Sequence, residues 1–182
     1  MHINYRTCLL LILAILFKSP GIMGFQAGLS SEKEMINFMV GGTWVSENPN
    51  NTGEPEDYSS FFMKFENWHD QNSILGSIYG IKNNSDTTGL MEVWNFVDPT
   101  MDGIRLIQRT AWSEFSEGTI NLYQGKHLDI RFKSTTADGQ VYYTKDIHYK
   151  ESQDKLRAET FHRRSENEEW QKAGESVWIR KR

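Results

Sequence analysis

The sequence predicts an all-β protein, an antiparallel up-and-down β-barrel entered through a short N-terminal helix. Three observations carry that expectation. From Val40 onward, segment after segment is β-branched or aromatic, often alternates apolar with polar, and is bounded by turn residues. The connections are short, which joins neighbouring strands as antiparallel hairpins. No helical segment of βαβ length lies between the strands, which argues against a parallel sheet. About ten strands in one open sheet would expose unpaired edges, and closure into a barrel removes them. A two-sheet sandwich is the competing arrangement, and the regular hairpins favour the barrel.

The elements follow in chain order. Ser31 and Glu34 have capping-box spacing. Leu29, Met35, Ile36, Phe38 and Met39 then recur at roughly helical spacing, predicting a helix over Ser31–Met39. The predicted strands are Val40–Glu47, Tyr58–Trp68, Ser73–Ile81, Leu90–Val97, Ile104–Trp112, Gly118–Tyr123, His127–Ser134, Val141–Tyr149, Lys155–Arg163 and Glu168–Ile179. Asp138-Gly139 marks a tight hairpin, because glycine accepts the positive φ such turns need. Ser116–Gly118 and Gln124–Lys126 read as similar turns, and Asn48–Asp57 as the long polar loop. Gly76 and Gly80, bracketing Ile78 and Tyr79, suggest strand bending at barrel corners.

The residues before this domain have another character. Arg6 lies in a short polar start, an apolar run spans Cys8 to Phe17, and helix-breaking Lys18-Ser19-Pro20-Gly21 follows. The run is short for a membrane span and has the layout of a secretory signal peptide. The domains are therefore expected as 1–24 signal peptide and 25–182 barrel. Export to a periplasmic or extracellular location follows, with no stable membrane span after cleavage. Cys8 is the single cysteine and leaves with the signal, so the exported domain stands on its core without disulfides. Removing Met1–Gly24 also removes Arg6 and Lys18 but no acid, so twenty bases against twenty-four acids become eighteen, a net charge of about −6. That mild acidity argues against nucleic acid as a partner.

Alternation assigns the faces. In "KHLDIRFKS", Leu128, Ile130 and Phe132 face the core and Asp129, Arg131 and Lys133 face water. Ile104, Leu106, Gln108, Thr110 and Trp112 share one face, as do Leu156, Ala158, Thr160 and His162. Leu90, Glu92, Trp94 and Phe96 oppose Met91, Val93, Asn95 and Val97, and both sets are substantial. Lys64, Glu66 and Trp68 oppose Met63, Phe65 and Asn67. A polar group on an otherwise apolar face must hydrogen-bond across the interior or reach water in a cavity.

The helix leading into "GGTW", the hairpin meander and the terminal "SVWIRKR" resemble the calycin superfamily, which includes lipocalins and fatty-acid-binding proteins. In lipocalins a Gly-any-Trp motif opens the first strand and a late arginine packs over the tryptophan at the closed end. Gly42, Thr43 and Trp44 match that motif, and Arg180 is the matching arginine. The "FENW" and "MEVWNF" stretches are also similar to exported bacterial lipocalin-like domains. The resemblance implies a closed barrel with a small-molecule lumen. The haem-binding relatives called nitrobindins continue the opening strand with further glycines. Val45-Ser46-Glu47 stands here instead, so no cofactor is implied.

The chemistry-bearing residues are sparse. His69, His127, His148 and His162 are well separated, with no HExxH or paired-ligand spacing, so no metal site is assigned. No serine lies in a nucleophile elbow, and no catalytic residue is assigned. The expected ligand contacts are Glu66, Trp68, Glu92, Trp94, Gln108 and His162, around a small apolar or amphipathic molecule. Gly42, Trp44 and Arg180 are expected to be structural. Two other readings stand beside binding. One is an enzyme on the same barrel with Glu66 or Glu92 as a buried acid or base. The other is a structural or partner-binding envelope protein with an exposed aromatic surface.

Overall fold

The structure, a computed structural model, describes residues 33–68, 72–98, 100–101, 103–123 and 126–182. The expected signal peptide, Cys8, the helix start at Ser31, His69 and the Gln124-Gly125 turn lie outside the described residues.

A helical turn over residues 33–37 leads into ten strands. These are β1 (Thr43–Glu47), β2 (Tyr58–Asn67), β3 (Ser73–Lys82), β4 (Thr87–Val97), β5 (Ile104–Thr110), β6 (Phe115–Tyr123), β7 (His127–Thr135), β8 (Val141–Ser152), β9 (Lys155–Arg163) and β10 (Gln171–Lys181). Each strand pairs antiparallel with its sequence neighbours, and β10 returns to pair with β1. The barrel is closed and leaves no sheet edge, which settles barrel against sandwich.

The predicted starts and ends shift where turn chemistry intervenes. Gly41 and Gly42 both adopt positive φ, so β1 begins at Thr43 and not at Val40. Ser116–Gly118 is not a turn: it lies inside β6, and the reversal falls at residues 111–114. β5 therefore ends at Thr110. Trp112, expected on the inner face, sits in the turn at 57% exposure, where its Nε1 donates to Glu114 Oε2 at 2.7 Å. Gly76 has a packing role: a Cβ there would lie 2.3 Å from the ring of Phe65, its cross-strand partner. Its missing side chain is the shelf on which that inward ring rests.

One end of the barrel is closed by the structural residues read from the sequence. Trp44 is fully buried, and its Nε1 donates to the Met39 carbonyl at 2.9 Å. The Phe38 ring meets it edge-on at 5.1 Å. Arg180, the cross-strand partner of Trp44, lays its guanidinium 4.4 Å from the Trp44 ring centre and 4.9 Å from that of Phe38. Its Nη2 donates to the Phe38 carbonyl, while its Nε is buried without a hydrogen bond. Gly42 fits beside this stack because its φ is +75° and a Cβ would come within 3.0 Å of Arg180 Cγ. Ile36 and Met39 complete the floor beside the helical segment, and Phe65, Ile74, Ile104, Leu128 and Leu156 pack around the same end of the barrel.

Candidate ligand-binding cavity

The inner faces of β5, β6, β7 and β9 follow one gradient, apolar at the floor and polar at the opposite end. β5 runs Ile104, Leu106, Gln108, Thr110 from floor to mouth, all buried. β7 runs Leu128, Ile130, Phe132, Ser134, and β9 runs Leu156, Ala158, Thr160, His162. β6 enters from the mouth with Ser116 and descends to Ile120. The mouth-side groups bond one another: Gln108 Nε2 donates to Ser116 Oγ at 3.2 Å, and the Ser116 and Ser134 hydroxyls lie 2.8 Å apart. Glu114 closes this rim, its backbone N donating to Thr110 Oγ1 at 3.1 Å. Burial and the neighbouring Glu114 carboxylate push the Tyr142 phenol up to about 12, so it stays a neutral hydroxyl.

Between floor and rim lies a cavity of about 210 Å³. Its wall is mostly apolar, with Met63, Met91, Val93, Ile120 and Phe132 among its members. The polar lining is Asn95, Gln108, Asp146, His148, Thr160 and Ser176. Ser176 is engaged, accepting from Trp178 Nε1 at 2.8 Å. Asp146 Oδ1 and Asn95 Oδ1 are buried with no partner. An orphaned acceptor in a built cavity needs a reason, because leaving one costs about 1–3 kcal/mol.

Asp146 and His148 are the titratable pair of the lumen. They stand two residues apart on β8, so both point inward. Asp146 lies between Ile130 of β7 and Thr160 of β9, and His148 between Leu128 and Ala158. Desolvation raises the Asp146 carboxyl from its ordinary 3.8 to about 6, with Thr160 and His162 opposing the shift. Desolvation likewise lowers the His148 imidazole from 6.5 to about 4, so it is neutral at pH 7. Both retain partial accessibility because they border the cavity.

The structure brings Gln108 to this wall but separates the other expected contacts from it. Glu66 and Glu92 are exposed on the outer face, because Met63, Phe65, Met91 and Val93 take the inward positions of β2 and β4. Glu92 borders a shallow external hollow with Ser77, Tyr79 and Arg109. Trp68 and Trp94 also stand outside: their rings meet edge-on at 4.9 Å, and Phe96 packs on Trp94 at 4.5 Å. His162 sits at the mouth in an exposed position, 5.8 Å from the Tyr142 ring, in a cleft with Arg163, Arg164, Glu168 and Gln171. Glu66 and Glu92 therefore do not form a buried acid–base pair.

Asp146 and His148 escaped face assignment because β8 inverts the usual rule. Its outward set, Val141, Tyr143, Lys145, Ile147 and Tyr149, is more apolar than its inward set, Tyr142, Thr144, Asp146 and His148, despite the lysine. A signal was present nonetheless. β7 has unambiguous faces, and the tight turn at Asp138-Gly139 pairs Ser134 with Tyr142 and Ile130 with Asp146. Directly paired residues share a face, so the parity of β7 carries over to β8.

Among the described residues no group of three or more His, Cys, Asp or Glu side chains is placed to hold a metal, and no helix is long and apolar enough to cross a membrane. No protein-family model matches the chain, and no curated protein does. The fold is shared with a solved structure, that of Rv2717c from M. tuberculosis. The match covers 83% of this chain and 98% of that one at a TM-score of 0.50 and 15% identity. At that identity the likeness concerns the barrel architecture alone.

Proposed function

We propose that this chain is an exported, calycin-like barrel that holds one small amphipathic molecule in its lumen without transforming it. The observation carrying the reading is the cavity of about 210 Å³, mostly apolar, into which Asp146 and Asn95 present unpartnered oxygens. An apolar protein cavity of roughly 150 Å³ admits benzene, so a single-ring molecule with one polar substituent fits this volume. The apolar ring would occupy the Met63–Ile120 side and the polar substituent would take up the orphaned oxygens. The apolar run Cys8–Phe17 supports export. The mature N-terminus of protein recovered from its own host tests that part.

Native mass spectrometry of the same material tests the carrier role, with a retained small-molecule mass as the expected result. The second arm uses a defined probe. Benzyl alcohol should perturb the methyl resonances of Met63, Met91 and Ile120, and Ala158→Leu, which fills the lumen, should abolish the response. No retained mass and no methyl response would sink the reading.

A second reading has one observation in its favour: Asp146 is an enclosed carboxylate whose protonation midpoint lies near 6, which suits a general base. It replaces Glu66 and Glu92 in the acid–base alternative. Asp146-dependent exchange of the α-hydrogens of cyclohexanone in D2O would support it, and exchange unchanged in Asp146→Asn would exclude it.

A further inference from the structure

The lumen has a sign. Its lining contains one carboxylate, Asp146, and no lysine or arginine. His148, two residues away on the same strand, is neutral at pH 7, so no cation of the wall compensates the aspartate. Ile130 faces Asp146 from β7, and Thr160 and His162 face it from β9. The basic residues nearby are used elsewhere. Arg163 packs its guanidinium on Trp170 at 4.4 Å and donates to the Glu166 carbonyl at 2.6 Å. Lys145 lies over the Phe161 ring at 4.2 Å, and Arg180 is committed to the floor.

A buried carboxylate with one oxygen unpaired is stabilised most by a charged donor. A carboxylate ligand would instead set two like charges in one cavity, with no arginine to receive it. Phe65, Phe132 and Trp178 line the same space and offer aromatic surface to a cation. Resting on the carrier reading above, we propose that the lumen selects small organic ammonium ions, the protonated nitrogen donating to Asp146 Oδ1 and the apolar body lying toward the floor. The cavity then discriminates against acids of the same size and shape. The orphaned oxygen is the receptor atom, and Thr160 and His148 flank the head group.

Three probes of nearly equal size test this: benzylammonium, benzyl alcohol and benzoate, titrated by calorimetry at pH 7.5. Benzylammonium should bind at least about tenfold tighter than the alcohol, the scale of a hydrogen bond to a charged partner, and benzoate should be the weakest. Asp146→Asn should bring ammonium and alcohol to equal affinity. The wild type provides a control that needs no variant. Lowering the pH from 7.5 to 5 should weaken benzylammonium about tenfold as Asp146 takes up its proton, and leave the alcohol unchanged. The same response in His162→Gln assigns it to the aspartate. Benzoate binding as tightly as the ammonium, or a preference that survives Asp146→Asn, overturns charge selection while the carrier reading stands. Failure of all three probes to bind overturns charge selection, and together with the absence of a retained mass it overturns the carrier reading as well.

Discussion

The floor and the upper lumen of this barrel are built from opposite materials. At the floor, Trp44, Phe38 and Arg180 stack in mutual contact, and both the indole N–H and an arginine N–H reach backbone carbonyls. In the upper lumen, Asp146 leaves a buried oxygen unpaired beside open volume. The floor holds the barrel closed, and the lumen spends stability on groups the fold itself does not satisfy. Arg180 Nε also lacks a hydrogen bond, but it lies within the packed stack with Asp154 Oδ1 4.0 Å away, whereas the unpaired oxygens of Asp146 and Asn95 border open volume, the arrangement that a binding role would use.

The largest test of the comparison strikes the floor. Trp44→Ala should cost about 3–5 kcal/mol, the range for deleting a fully buried tryptophan, read as a lowered urea midpoint. A loss below ~1 kcal/mol would mean that the floor does not hold the barrel.

The next tests the lumen by pH. Asp146 binds its proton more tightly folded than unfolded, so its contribution improves as pH falls from about 6 through 3.8. His148 has the reverse sign: stability is lost as pH falls from 6.5 toward about 4, because the unfolded chain protonates first. The two nearly cancel in the wild type. Asp146→Asn should therefore unmask His148, losing about 3 kcal/mol between pH 6.5 and 4 relative to the wild-type profile. His148→Gln should bend the profile the other way. Parallel profiles in urea titrations would show that these groups are not desolvated.

Arg180→Gln should cost about 1–2 kcal/mol, the scale of a partly desolvated cation over aromatic rings, with benzyl alcohol binding retained. A variant that lost binding at full stability would erase the division between floor and lumen. The smallest effect belongs to the outer wall. Glu66→Gln and Glu92→Gln should each shift stability by less than about 0.5 kcal/mol and leave ligand affinity unchanged. An affinity change in either would place the site outside the barrel.

The residues that were legible and those that were not differ in a specific way. Trp44 and Arg180 were legible because a short motif and a terminal basic strand mark them. Gln108 was legible because its strand has a single apolar face. On β4 both faces are apolar enough to be core, and the set carrying Trp94 proved to be the outer one. Glu66 of β2 and Trp68 just beyond its end likewise proved to be on the outer side. Large aromatics attract an inward reading, yet here Trp68, Trp94 and Phe96 form a cluster on the outer wall.

Strand number, hairpin order and antiparallel pairing are local properties, set by β-rich runs and the turns between them, and the linear chain carries them in full. Period-two alternation also divides each strand into two sets. Which set faces the lumen is a property of closure, decided when β10 pairs with β1 and every strand must present compatible volumes to one interior. The parity of β7, carried through the tight hairpin, turns Asp146 and His148 inward. For Glu66 and Glu92 the global condition decided the outward face, because rotating any one strand against its neighbours would break the ladder on both sides.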